Sequence, residues 1–345
     1  MKAACRRTAV AKQTIMLDGV SYLEQRAVKQ ETLEQYRRCV SEFLAWAALH
    51  LADWRTPQML DQRLTEYFDH EFFLGRAVGI AEKTLAGVKF FIPAVSNYGT
   101  NHLPRAHRAA KSWARISPTL QRLPIPAPCV AAICGHLIFG GLHWEAFHVL
   151  LAFLAYLRPG ENARLKVKSL VRPMRPHSTE DCYNKWALNL HPVTDLIPGK
   201  TLMTDETIIL DGPTWMNAWF SKLVDRRDPE HALWPFKHST MPAVFDRTCK
   251  ALQMSPLGPC LYGLRHGGAS EDLMRRIRTP EGVLQRGRWR TTGSLRRYGK
   301  QGRLVTQVNL IPKATLDFGS TVWDQLGAVF NGRLRIPPPL SRPTA

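Results

Sequence analysis

The chain has 345 residues, with 47 lysines and arginines against 28 aspartates and glutamates, a formal net charge of +19 and an isoelectric point near 10.0. This length exceeds what a single hydrophobic core usually supports, so two domains are expected. Apolar residues make up 45% of the chain and aromatic residues 9%, which excludes an extensively disordered protein. The excess of positive charge favours a polyanionic partner such as nucleic acid, and a ribosome-associated protein would share it.

Neither cysteines nor apolar runs indicate export or membrane insertion. The seven cysteines are scattered without a Cys-x-x-Cys pair, which is typical of reduced intracellular thiols and gives no clustered ligands for zinc. The longest apolar run, Val149 to Leu157, is far shorter than the roughly 20 residues of a membrane-spanning helix. The basic N-terminus lacks the apolar stretch of a secretory signal, so no export signal is expected, with a mitochondrial or plastid leader as the alternative.

The N-terminal half is predicted to be helical, because apolar residues recur there at helical spacing. Thr56-Pro57 supplies an N-cap followed by proline at the first helical position. Pro93 falls inside the third predicted helix, where it would interrupt the hydrogen-bond ladder. The predicted helices cover residues 30–50, from 57 onwards, 80–97 and 103–115.

Four prolines then follow between Ser117 and Pro128. This density disfavours a helix and is typical of a semi-rigid connector, with a proline-rich surface loop inside one domain as the alternative. The expected division is a flexible N-terminal tail over 1–20, a helical domain over 21–117, a linker over 118–128, a second domain over 129–335 and a disordered C-terminal tail over 336–345.

The second half is predicted to combine helices with a small antiparallel sheet. Two short strand-like stretches, 186–191 and 207–210, are separated by loops that contain Pro192, Pro198 and Gly199. The fold class is therefore mainly α with a small antiparallel sheet. Helices are predicted over 129–139, 143–157, 213–224, 239–253, 264–276, 280–287 and 314–330.

The segment from Leu264 to Arg303 is the most strongly basic part of the chain. It holds ten arginines and one lysine against three acidic residues. Phosphate groups are the expected target of this charge, and a solvated basic helix surface is the alternative for each arginine taken singly.

Several motifs occur here at specific spacings. Leu-Arg-His at 264–266 is followed by Gly-Arg-Trp at 287–289, and Tyr298 comes nine residues after the tryptophan. Upstream, residues 156–161 read Tyr-Leu-Arg-Pro-Gly-Glu. Together these motifs resemble the tyrosine recombinase, or phage integrase, family, in which two arginine boxes precede a Gly-x-[His/Trp] box and a tyrosine nine positions beyond. The resemblance covers roughly residues 130–300.

The resemblance implies that Tyr298 attacks a DNA phosphodiester, which forms a covalent 3′-phosphotyrosine and frees a 5′-hydroxyl. It implies that Arg158 and Arg265 clamp the scissile phosphate while the Trp289 indole donates a third hydrogen bond. Planar guanidinium groups suit this task, because they bind phosphate bidentately and neutralise the developing charge without a metal. The bond energy is conserved, so no ATP or other cofactor is expected.

In this family a lysine on a strand hairpin protonates the leaving 5′-oxygen. Lys200 lies at the predicted turn, and Lys185 on the preceding strand is the rival candidate. The chain departs from the family pattern at Tyr262, where a histidine usually stands three residues before the second arginine. A phenol with a pKa of about 10 is a poor base at neutral pH but can donate a hydrogen bond.

The residues around these motifs are given supporting roles. Glu161 is expected to orient Arg158 through a carboxylate pair, with pairing to Arg164 as the alternative. His266 is expected to be a structural hydrogen-bonding group. The other arginines of the basic segment near the tyrosine are expected to bind DNA: Arg288, Arg290, Arg296 and Arg297.

The implied function is a site-specific DNA recombinase or the integrase of a mobile element, located inside the cell with its DNA. It would act on double-stranded DNA as a homotetramer with a dimer on each site, with a helical core-binding domain and an α+β catalytic domain. The helix over 314–330 would dock on a neighbouring subunit or on its own domain. A catalytically silent DNA-binding descendant, a type IB topoisomerase-like nicking enzyme and a basic RNA- or ribosome-associated protein are the alternatives.

Overall fold

The computed structural model describes residues 20–97, 99–118, 122–174, 184–195, 204–293 and 301–339. Most of these residues are helical, and the strands form one small antiparallel sheet, so the predicted fold class is confirmed. The chain divides into two compact units, Met1–Gln121 and Arg122–Ala345. Within the described ranges, no helix is both long enough and apolar enough to cross a bilayer.

The first unit is built from helices around its own apolar core. Thr56 caps the third helix by accepting the Met59 N–H at 3.2 Å, as the Thr-Pro signal predicts. The fourth helix ends at Phe91 rather than at 97, because Pro93 cannot continue it. The helices are α1 (Tyr22–Gln25), α2 (Gln30–Leu49), α3 (Pro57–Phe73), α4 (Gly79–Phe91) and α5 (Pro104–Ile116).

The second unit packs ten helices of the described chain around three strands in the order β1-β2-β3. The strands are β1 (Leu170–Val171), β2 (Trp186–Leu190) and β3 (Glu206–Leu210). Trp186 lies opposite Leu210, and Leu170 opposite Leu188. The helices are α6 (Ala127–Phe139), α7 (His143–Leu154), α8 (Pro159–Ala163), α9 (Met216–Val224), α10 (Met241–Ala251), α11 (Leu261–Met274), α12 (Pro280–Gly287), α13 (Gln301–Val308), α14 (Lys313–Asp324) and α15 (Leu326–Phe330).

Residues 122–128 pack into the second unit instead of forming an open connector. Leu123 and Ile125 are buried in its core. The N–H of Ile125 donates to the Gly263 carbonyl at 3.3 Å, and α6 already begins at Ala127. This part of the predicted linker is therefore a packed segment, since contacts from residues distant in the sequence bury it.

The C-terminal region also packs onto its own unit. Phe318 and Val322 of α14 lie over Gly135 of α6. The predicted single helix over 314–330 is divided into α14 and α15 at Gln325. In this structure the C-terminal helices therefore complete the core of the second unit. Ile336, in the predicted C-terminal tail, packs against the same core.

The buried His148 of α7 contacts the half-buried His238, which precedes α10. His148 of α7 is 1% exposed, and its Nε2 lies 3.1 Å from Nε2 of His238. One ring must donate and the other must accept, so at least one of the two imidazoles is neutral. Burial and the neighbouring His238 lower the pKa of His148 to about 3, and burial lowers the pKa of His238.

The histidine pair predicts loss of stability in mild acid. An unfolded histidine has a pKa of about 6.5, so between that value and about 3 the unfolded chain binds a proton that the folded chain excludes. The free energy of unfolding is therefore expected to fall as the pH falls through this window. In urea unfolding, His148→Phe should reduce this pH dependence, whereas the exposed-site control His231→Phe should keep it. Equal pH dependence in both variants would contradict the assignment.

Candidate active site

Three arginine side chains converge on the carboxylate of Glu161 in α8. Arg158 pairs with Oε1, and its backbone N–H donates to Oε2 at 2.8 Å. Nη2 of Arg288 lies 2.5 Å from Oε2, and Nη1 of Arg265 lies 3.8 Å from the same oxygen. Glu161 is only 5% exposed, so one buried carboxylate holds together guanidinium groups from three parts of the chain.

The start of α8 places the first of these groups. Arg158 is the N-cap with an extended backbone, and Pro159 occupies the first helical position. Glu161 is the third helical residue, from which its carboxylate reaches back to the Arg158 backbone N–H. The Pro-Gly-Glu sequence after Arg158 thus fixes the arginine and its carboxylate partner in one turn.

The guanidinium groups keep Glu161 ionised in spite of its burial. Burial would raise the pKa of this carboxyl group, but the charges of Arg288, Arg158 and Arg265 and the Arg158 backbone hydrogen bond outweigh it. The pKa of Glu161 is therefore held below its ordinary value.

Arg265 of α11 is the most deeply placed of the three arginines, with an exposure of 1%. Its Nη1 donates to the Tyr156 carbonyl at 2.5 Å, and its Nη2 donates to the Gly287 carbonyl. These carbonyls lie at the C-terminal ends of α7 and α12, where helices carry unpaired acceptors and partial negative charge. Each terminal nitrogen of Arg265 thus gives one hydrogen bond to the backbone, and its buried Nε has no acceptor among the described residues.

Two glycines after Arg265 allow α11 to lie this close to its neighbours. A Cβ atom on Gly267 would lie 2.1 Å from the Ile125 carbonyl oxygen, and one on Gly268 would lie 2.0 Å from that of Phe153. Any larger residue at either position would push α11 outwards. The Arg-His-Gly-Gly sequence therefore sets the depth at which Arg265 enters the core.

Trp289 covers the cluster from the side of α12. The Arg265 guanidinium carbon lies 4.8 Å from the centre of the indole, within the range of a cation–π contact. The indole also stacks on the Tyr156 ring, with centroids 6.4 Å apart. Trp289 itself is half-buried, so it lies beside the buried arginine and still reaches solvent.

Arg288, which the sequence predicts to bind DNA, belongs to the same buried cluster. Its side chain is 6% exposed and paired with Glu161. Its backbone turns into the left-handed region at φ 54° as the C-cap of α12. Arg290, two residues later, is exposed.

Tyr262 and His266 lie one turn apart on α11, with ring centroids 5.0 Å apart. The guanidinium carbon of Arg122 lies 5.2 Å from the centre of the Tyr262 ring. Both rings are half-buried. Arg122 is thus a further cation near the second arginine box, which the motif pattern does not include.

Comparison with known proteins gives little beyond this geometry. No protein-family model matches the chain, and no curated protein matches it. The crystal structure of XerA recombinase is similar at 13% sequence identity and a TM-score of 0.35, covering 84% of this chain and 94% of that chain. A similarity this low carries no argument about activity, so the interpretation depends on the residues themselves.

The structure brings together only part of the predicted site. The residues that converge are Arg158, Glu161, Arg265, Arg288 and Trp289. Lys185 is half-buried immediately before β2. Tyr298, Lys200, Arg296 and Arg297 lie outside the described residues.

Sequence reasoning missed His191, which follows β2. Its backbone is left-handed at φ 52°, and its Nε2 is buried without a hydrogen-bond partner among the described residues. Burial lowers its pKa in spite of the neighbouring Glu161 carboxylate, so the ring is neutral at pH 7. His191, Glu161 and Arg164 line a cleft of about 410 Å³. No spacing signal links a histidine at a strand end to motifs on distant helices.

The cluster as a whole carries excess positive charge. Among the described residues, the guanidinium groups of Arg158, Arg265 and Arg288 face two carboxylates, Glu161 and Glu206, the latter 3.6 Å from Arg288 Nε. Burial and then the charges of Arg288 and Arg158 lower the pKa of Arg265 to about 10, so it stays charged at neutral pH. One net positive charge in a largely buried setting is costly unless an anion binds.

Proposed function

We propose that this protein is a DNA strand-transferase of the tyrosine recombinase type, with Tyr298 as its nucleophile. The observation that supports this function best is the convergence of Arg158, Arg265 and Arg288 around one buried carboxylate beside Trp289. The two arginine boxes and the tryptophan box are distant in sequence, yet their side chains meet in one charged cluster. A net positive cluster next to an indole N–H suits an anionic, tetrahedral group such as a phosphodiester.

The proposed step exchanges one phosphodiester for another. The phenolic oxygen of Tyr298 forms a bond to phosphorus and loses its proton to water, while the bond from phosphorus to the 5′-oxygen breaks. Lys200 donates a proton to that oxygen, which leaves as a 5′-hydroxyl. A 5′-hydroxyl from a second strand then bonds to phosphorus, the bond from phosphorus to the Tyr298 oxygen breaks, and the proton of the hydroxyl passes to the phenolate, which regenerates the enzyme. Since each bond broken is replaced by an equivalent one, the reaction needs no external source of energy.

We propose a role for each cation according to its burial. Arg158, whose side chain is 18% exposed, contacts the non-bridging oxygens directly. Arg265 is buried and attracts the phosphate through its charge, and the low dielectric around it strengthens this attraction. It also holds the Tyr156 and Gly287 carbonyls in place. The Trp289 indole donates a further hydrogen bond.

We also propose that the first unit binds the same DNA duplex. Along α5, Arg105, Arg108, Lys111 and Arg115 are exposed, and the helix contains no acidic residue. Such a face suits contacts with a phosphate backbone. In the proposed assembly a dimer occupies each DNA site and two sites pair in a tetramer, as a recombinase or the integrase of a mobile element requires.

Trapping of a covalent intermediate tests this function. A pool of nicked suicide duplexes with randomised sequence loses the freed short strand after cleavage, so any protein–DNA adduct should accumulate and survive denaturing electrophoresis. The parent chain should form an adduct, Tyr298→Phe should form none, and Tyr36→Phe in the first unit should match the parent. Retained DNA binding without an adduct from any duplex would instead indicate a catalytically silent binder.

A further inference from the structure

We propose that Arg288, which the sequence predicts only to bind DNA near the tyrosine, contacts the scissile phosphate beside Arg158 as a buried guanidinium of this site. The inference deepens the proposed function and rests on it for the identity of the ligand, a DNA phosphate. Three properties of Arg288 support it: the direction of its side chain, its unfilled hydrogen-bonding capacity and the charge around it.

The backbone of Arg288 adopts a conformation that favours glycine. Its φ of 54° at the end of α12 is left-handed, which is strained for a residue with a side chain and is the usual place for a C-terminal glycine. A glycine would satisfy the turn without strain. Arg276 has the same conformation and is exposed, so the backbone alone does not bury the side chain. What distinguishes Arg288 is that its contact with Glu161 directs the side chain into the candidate site.

The side chain of Arg288 is buried but not saturated. Nη2 binds Glu161 Oε2 at 2.5 Å, and Nη1 donates to the Arg286 carbonyl at 3.2 Å. Nε is buried and finds no hydrogen-bond acceptor within the described part of the chain. The Glu206 carboxylate lies 3.6 Å from this Nε, which is too far for a hydrogen bond. A buried N–H without an acceptor is costly and uncommon, so we expect an oxyanion that enters the cluster beside Glu206 to accept from it.

The charges around Arg288 favour the same ligand. Arg158 and Arg265 lie around the same Glu161 carboxylate, and the group retains one net positive charge after Glu206 is included. If Arg288 only balances the charge of Glu161, Arg288→Lys should keep the affinity of the parent for phosphate. If the guanidinium binds phosphate, Arg288→Lys must weaken that affinity.

Thermal unfolding in inorganic phosphate separates these two roles. A ligand that binds only the folded state raises the melting temperature in proportion to its affinity. We compare sodium phosphate with sodium chloride at equal ionic strength for the parent, Arg288→Gly and Arg276→Gly. Arg276 is the matched control, since it is an exposed arginine with a φ of 55° just after α11 in the same unit.

Phosphate should raise the melting temperatures of the parent and Arg276→Gly equally, whereas Arg288→Gly should need about tenfold more phosphate or more for the same shift. Equal phosphate responses in all three proteins, or none in the parent, would overturn the proposal. Arg288→Lys is measured in the same way and separates charge balance from phosphate binding, even if Arg288→Gly does not fold. Lysine keeps the charge but has no second nitrogen for the unfilled donor, so a phosphate response equal to the parent's would also overturn the proposal.

Measuring the covalent adduct as well as the phosphate response distinguishes a failure of strand transfer from a failure of the proposed role of Arg288. A phosphate response that depends on Arg288, together with no adduct from the parent, would refute strand transfer and leave the anion site in place. An adduct that Arg288→Gly forms as efficiently as the parent and Arg276→Gly would refute the role of Arg288 and leave strand transfer intact.

Discussion

Replacing Glu161 with alanine is expected to lower the free energy of unfolding by about 3–5 kcal/mol, the usual cost of removing one partner from a buried ion pair. The carboxylate contacts Arg158, Arg288 and Arg265 while it is 5% exposed. Without it, three guanidinium groups in a low-dielectric setting would repel one another. Urea unfolding of the purified variant measures this loss.

Glu230→Ala is the matched control for the Glu161 variant. Glu230 also binds two cations, Lys166 at 2.9 Å and Lys168 at 2.7 Å, but its side chain is 60% exposed. Exposed pairs contribute at most about 1 kcal/mol because water screens them. If Glu161→Ala were no more destabilising than Glu230→Ala, the cluster could not be the buried electrostatic unit described above.

Arg265→Ala is expected to cause a loss of similar size, about 3–5 kcal/mol, for a different reason. The guanidinium satisfies the carbonyls of Tyr156 and Gly287 and fills the space beneath Trp289. Its removal would leave two buried acceptors unpaired and create a cavity. Urea unfolding should therefore show a large decrease in stability, and adduct formation should be lost because Trp289 and Glu161 lose their support.

Arg265→Lys tests whether the positive charge at this position is sufficient or whether the geometry of the guanidinium group is also needed. An ammonium group keeps the positive charge but cannot donate along two fixed directions as a guanidinium fork does. We expect partial recovery of stability relative to Arg265→Ala and no recovery of the parent adduct level. Arg275→Lys is the control, since Arg275 is exposed and pairs only with Glu271, at 3.2 Å, among the contacts of the described chain. Full activity of Arg265→Lys would contradict the need for a fork.

The sequence predicts helices well where local signals are strong. The limits 280–287 agree with α12, since Thr279 caps that helix and Pro280 begins it. The sequence predicts that α7 continues to residue 157, but the helix stops at Leu154 because Tyr156 takes a left-handed conformation at φ 49°. A tyrosine gives no such signal in a sequence. β1 was missed because two residues are too short to show periodicity.

In the candidate site, too, contacts within one helical turn can be predicted from the sequence, whereas contacts between residues distant in the sequence cannot. The pairing of Arg158 with Glu161 follows from one turn of helix and could be expected from the sequence. The burial of Arg288 could not, because it depends on a left-handed cap and on a carboxylate 127 residues away. The engagement of Arg265 with two helix ends likewise depends on how α7, α11 and α12 meet.

Peptide mapping of the covalent adduct tests the central claim most directly. After trapping on suicide duplexes, the complex is digested with protease and nuclease, and the peptide that retains a nucleotide is sequenced by mass spectrometry. The account predicts one modified residue, Tyr298, joined through a 3′-phosphate. A nucleotide attached to any other residue, or through a 5′-phosphate, would contradict it.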